Sequence, residues 1–121
     1  MATRKLPTKK KIRQYWCERL WEGKGYDSPS EFLNDNLCFA CGFDNPFDWS
    51  LESAHILARV WGGDDTEENI HLLCHICHTD SENLSGEKYW DWFWKRNSID
   101  MLFSCAAQNG FSMSSLLVCV P

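Results

Sequence analysis

The sequence predicts an α+β domain: a small strand–strand–helix core stapled by cysteines, with helices on either side. Three observations predict it. Two Cys-x-x-Cys pairs, Cys38/Cys41 and Cys74/Cys77, bracket one insert; the two-residue spacing lets a tight turn aim both thiolates of a pair at one ion, and four such thiolates make a tetrahedral zinc site. The insert is longer than the about 15 to 20 residues that usually part the knuckles of a bare zinc ribbon, so it houses something further. At 121 residues the chain is also short of core unless a metal adds folding energy.

The elements follow in order within what reads as one domain of three regions: a basic arm and helices over 1–36, the cysteine-bound core over 37–85, and an aromatic helical extension over 86–121. Thr8 can cap a helix over 9–22, with Ile12, Tyr15, Trp16 and Leu20 as one apolar stripe and the lysines opposite. Gly23 and Gly25 end it. Ser28-Pro29-Ser30-Glu31 opens a short second helix. Residues 49–56 read as a strand with Trp49, Leu51, Ser53 and His55 on one side; 58–68 is a loop with Gly62-Gly63 and four acids; 70–73 returns as a strand, and a helix starts around the second cysteine pair and runs toward Leu84. Past Gly86, Tyr89, Trp90, Phe93 and Trp94 recur at helical spacing, which suits a core-facing stripe; beside basic residues such a stripe can instead stack on bases. Ser98 can cap a last helix through 108, ended by Asn109-Gly110, and the tail 111–121 either packs back or serves a partner.

Ala54-His55-Ile56, Gly62-Gly63, Glu68-Asn69 and the run Leu72-Leu73-Cys74-His75-Ile76-Cys77-His78 together resemble the HNH endonucleases, whose ββα-metal, treble-clef-like fold is often stapled by four cysteines. The resemblance covers roughly 37–82. It implies a metal-dependent hydrolysis of DNA phosphodiester bonds, with structural zinc on Cys38, Cys41, Cys74 and Cys77 and a separate catalytic divalent ion, magnesium or another. His55 would be the general base, Asn69 would orient its imidazole, and His78 would bind the catalytic ion. The chain departs from the family at Ala54, where many members carry a further metal ligand. Glu52, on the same strand face, is the nearest carboxylate able to substitute, and His71 is a second candidate. His75, between the knuckle cysteines, reads as a solvent or supporting residue.

The charge is uneven. The formal total is −5, yet residues 1–25 carry eight Lys or Arg against two Glu, and the remainder four against fifteen acids. DNA contact is therefore expected of the N-terminal arm (Arg4, Lys5, Lys9, Lys10, Lys11 and Arg13) and of Arg59, the one basic residue between the knuckles. Three further cysteines (Cys17, Cys105, Cys119), an N-terminus unlike a secretory signal and the lack of a long apolar run predict a protein of a reducing, intracellular compartment that does not enter membranes. So small a chain has little room for a DNA-reading domain, which suggests low sequence specificity, a homodimer or a partner protein that supplies it. The competing expectation is a catalytically inactive zinc-scaffolded module that binds nucleic acid or protein.

Overall fold

The computed structural model describes residues 6–43 and 51–109. Its elements run α1 (Lys9–Leu20), α2 (Pro29–Asn34), β1 (Glu52–His55), 3-10 turns at Arg59–Trp61 and Glu67–Asn69, β2 (Ile70–Leu73), α3 (His75–Ser81), α4 (Gly86–Lys95) and α5 (Ser98–Asn109). The expected α+β architecture is present. β1 begins at Glu52, and Trp49, expected on the same strand, lies outside the described residues, as do Arg4, Lys5 and the tail 111–121.

The two strands pair antiparallel, with Glu52 opposite Leu73 and His55 opposite Ile70. Every residue of β2 is buried, whereas β1 has only Ala54 buried. A strand covered on both faces loses the alternation that marks a half-exposed one. Here α1 lies over the end of β2: the Trp16 indole Nε1 donates to Ile70 O at 2.7 Å and to Glu67 O at 2.8 Å. Farther along the same edge of β2, the one away from β1, the backbone N–H of Phe39, between the first two cysteines, donates to Leu72 O at 2.9 Å.

α1 starts where Thr8 Oγ1 accepts from Lys11 N–H at 3.2 Å, and α2 where Ser28 Oγ accepts from Glu31 N–H at 3.1 Å, with Pro29 in the first turn. The buried side of α1 is Ile12, Arg13, Trp16, Cys17 and Leu20. Arg13 therefore does not belong with the lysines: it is 6% exposed, donates Nη1–H to Asp35 O at 2.7 Å and stacks its guanidinium 5.1 Å from the Phe39 ring centre. Its expected role as a phosphate contact is corrected to a strut between α1 and α2. Lys9, Lys10 and Lys11 are exposed.

α4 turns Tyr89 and Phe93 fully into the core, while Trp94 stays 44% exposed, so the aromatic stripe is mainly a packing surface. α5 is capped by Asn97, whose Oδ1 accepts from Asp100 N–H at 2.9 Å, one residue before the expected Ser98. Among the described residues no helix is long and apolar enough to cross a membrane.

Candidate metal and catalytic site

The four cysteines converge. All are buried, and their sulfurs lie within 4.8 Å of one another. The first pair is turned by Gly42, at φ 69° with its N–H on Cys38 O, a left-handed conformation that glycine adopts without a Cβ clash. The second pair straddles the start of α3, where Cys74 is the cap residue and its sulfur accepts from Cys77 N–H at 3.5 Å. Cys41 Sγ and Cys74 Sγ are 3.9 Å apart; metal–sulfur bonds of about 2.3 Å at tetrahedral angles put sulfurs about 3.8 Å apart. The donor set and its spacing thus fit a structural zinc. Thiols this crowded share protons: burial pushes Cys38 up, but hydrogen bonds from Cys41, Cys74 and Cys77 outweigh it and hold Cys38 well below the ordinary thiol value, while hydrogen bonding to Cys38 pushes Cys77 up. A bound cation removes that competition by stabilising all four as thiolates.

His55 ends β1 with its side chain 18% exposed. Its Nε2 meets Asp65 Oδ1 at 2.8 Å. An ionised carboxylate only accepts, so Nε2 carries the proton and Nδ1 keeps a lone pair. The same Asp65 oxygen accepts from Arg59 Nε at 2.8 Å, so Arg59, expected to contact DNA, is tied into the loop by at least one N–H.

Asn69 does not take the place expected for it against His55. Its Oδ1 accepts from Leu57 N–H at 2.9 Å, and its Nδ2 donates to Leu57 O at 3.0 Å and Asp64 O at 2.8 Å. It clips the two ends of the loop together and, through Asp64, sets the neighbouring Asp65 in position. The double glycine makes the clip possible: Gly62 sits at φ 93°, and a Cβ on Gly63 would fall 1.7 Å from Leu57 O. Asp65 is thus the functional residue that sequence reasoning missed.

Glu52 joins β1 to α3. Its Oε1 meets His78 Nδ1 at 2.7 Å and its Oε2 meets His75 Nδ1 at 3.1 Å. Burial works against the Glu52 charge, but these contacts to His78 and His75 prevail and hold its pKa below the ordinary glutamate value. With Glu52 ionised, both Nδ1 atoms carry protons, which leaves the Nε2 lone pair of His78 as a donor. His75, read from sequence as a solvent or supporting residue, therefore has a defined partner. His71, a candidate ligand from sequence, is corrected: it is fully buried, its Nδ1 lies 2.6 Å from Tyr89 Oη, and Phe93 stacks on it at 4.4 Å between ring centres. Ala54 is 2% exposed and faces the core.

The segment that holds the four cysteines, Glu52, His55, Asp65, Asn69, His75 and His78 matches the family model described as HNH endonuclease, over residues 36–84. Residues 36–84 are an HNH endonuclease-family segment. No curated protein and no solved structure matches the chain. The HNH segment contains both cysteine pairs, both strands and α3, and it leaves out α1, α2, α4 and α5.

Proposed function

We propose that the chain is a metal-dependent HNH-type endonuclease that hydrolyses DNA phosphodiester bonds. The observation that carries this reading is the His55–Asp65 contact: a histidine at the end of the first strand whose Nε2–H is held by a carboxylate at 2.8 Å, so that Nδ1 is set to accept a proton. His55 takes the proton of the attacking water. Asp65 fixes the tautomer and stabilises the imidazolium that results, as a buried carboxylate does behind any histidine base. Asn69 acts one step further out, by holding the loop that carries Asp65.

Zinc on Cys38, Cys41, Cys74 and Cys77 has a structural role and keeps the start of α3 rigid. His78, on that rigid start, would hold the catalytic divalent ion through the nitrogen that Glu52 leaves free. Glu52 serves this site as the carboxylate that fixes the His78 ring through Nδ1, the arrangement in which a partner acid orients a metal-ligating histidine. When bound, the ion supplies positive charge to the scissile phosphate and to the leaving oxygen. With Ala54 offering no donor, His78 is the one side chain of this set that would hold the ion directly. Lys9, Lys10 and Lys11 contact phosphates away from the scissile bond.

Ala54, the acidic body and the commitment of Arg59 to Asp65 favour a second reading, a zinc-scaffolded binding module without catalysis. Zinc-loaded protein incubated with supercoiled plasmid and magnesium, manganese or nickel separates the two. Nicking or linearisation that is lost in His55→Ala, with zinc content unchanged, supports the nuclease. Equal behaviour of wild type and variant, or binding without cleavage, removes it.

A further inference from the structure

We infer that Arg96, which lies outside the HNH segment, is a working part of the zinc centre: its guanidinium donates a hydrogen bond to the Cys77 thiolate and helps balance the charge of the tetrathiolate. Four thiolates around one zinc ion make a dianion, and all four cysteines here are buried. A buried charge is costly unless neighbouring groups pair with it and hydrogen-bond it.

Arg96 meets that need. Its Nε lies 3.4 Å from Cys77 Sγ, inside the range of an N–H···S bond, and its side chain is 7% exposed. It is held in place from three sides. Nη2 donates to Asp80 Oδ2 at 2.6 Å, Nη1 reaches Ser104 Oγ at 3.5 Å, and the guanidinium lies 5.5 Å from the Trp92 ring centre. Asp80 is itself braced by Gln108 Nε2 at 3.1 Å. A rotamer-rich side chain fixed so completely loses little entropy in making its sulfur contact. Burial opposes the Arg96 charge, yet Cys77 and Asp80 hold the group cationic.

A second basic group lies against the cluster and lines one cavity with Cys38, Cys41 and Arg96. Lys24 Nζ donates to Ala40 O, between the first two cysteines, at 2.8 Å and to Phe93 O; burial lowers its pKa to about 8 against the opposing pull of Cys38, Cys77 and Cys41. Both cations come from segments the HNH match does not cover. The segments just past the ends of α1 and α4 thus supply the charge that lets so small a core keep a buried tetrathiolate.

The test uses the full chain and involves no DNA, so the inference stands or falls separately from the nuclease reading. A hydrogen bond to a metal-bound thiolate lowers the energy of the sulfur electrons, which raises the energy of the thiolate-to-metal charge-transfer band. With cobalt in the four-cysteine site, Arg96→Met is expected to move that band to lower energy. The zinc-loaded variant is expected to lose its metal to a competing chelator at least about tenfold faster, the lower end of what loss of a partner behind a metal ligand does to affinity. A purely structural Arg96 would lower the melting temperature and leave the band in place; an unmoved band overturns the inference whatever the release rate. If Arg96→Met does not fold, Arg96→Lys is read by the same band. Lysine keeps the charge but cannot hold Asp80 and Cys77 with one planar fork, so a shift is again expected and an unmoved band again overturns it.

Discussion

Acidification probes the buried imidazole at the centre of the fold. Burial, aided by the Lys24 charge and only partly opposed by Cys38, lowers the His71 pKa from 6.5 to about 3. Its Nε2 is buried with no hydrogen-bond partner among the described residues. The native state therefore holds His71 neutral while the unfolded chain protonates it normally. For a base with a depressed folded pKa, the stabilisation is complete above about 6.5 and is lost progressively as pH falls toward about 3. Each pH unit in that window costs about 1.36 kcal/mol, so between pH 7 and pH 5 His71 alone removes about 2 kcal/mol. The assay is urea unfolding of zinc-loaded protein at both pH values, in wild type and in His71→Phe. The variant loses the 2.6 Å contact to Tyr89 Oη and is less stable at neutral pH, but phenylalanine does not titrate. The two proteins share the protonation of the zinc thiolates, and that contribution cancels in the difference between their pH slopes. A slope difference near 2 kcal/mol over the two units is expected; identical slopes would refute the placement of His71 in a dry aromatic pocket.

Three further outcomes are expected. Asp65→Asn leaves the loop and zinc content intact but no longer fixes the proton on His55 Nε2, and plasmid cleavage falls about 10²-fold or more, read from initial nicking rates. Replacing Lys9, Lys10 and Lys11 by Gln lowers the slope of log affinity against log salt for duplex DNA by about 2 to 3, whereas Arg13→Gln changes thermal stability and not that slope. Gly63→Ala forces a Cβ into the Leu57 carbonyl; it destabilises the loop by at least about 1 to 3 kcal/mol, and an unchanged melting temperature would contradict the close approach drawn here.

Much of the core is legible from spacing alone. The cysteine pairs, the second strand and the helix that follows it depend on residues next to one another in sequence, and a two-residue knuckle or a four-residue apolar run carries its own geometry. Arg13 is equally legible, since it lies at helical spacing from Trp16, Cys17 and Leu20 and so shares their face, although its charge groups it with the lysines. His71 was harder. A strand buried on both faces offers no alternation to say that its histidine is inside. Asp65 could not have been chosen from four acids in one loop, because its placement depends on Asn69 bridging Leu57 and Asp64 and on a glycine that admits the close approach of the backbone. Arg96 and Lys24 reach the cysteines from opposite ends of the chain, and no local pattern links them to it.

The paired hydrogen bonds from the Trp16 indole to Glu67 O and Ile70 O change what the first helix is for. They rivet α1 to the junction between the Asp65 loop and the strand that leads into the second cysteine pair. The exposed lysines at the start of α1 are consequently surveyed against His55 by a rigid frame, with no swinging arm between them. A polyanion gripped at those lysines would meet the histidine at a set offset along its backbone, so that the helix acts as a ruler. Removing residues 1–20 would accordingly take out one wall of the His71 pocket along with the ruler, so the truncation would test the fold as much as the lysines.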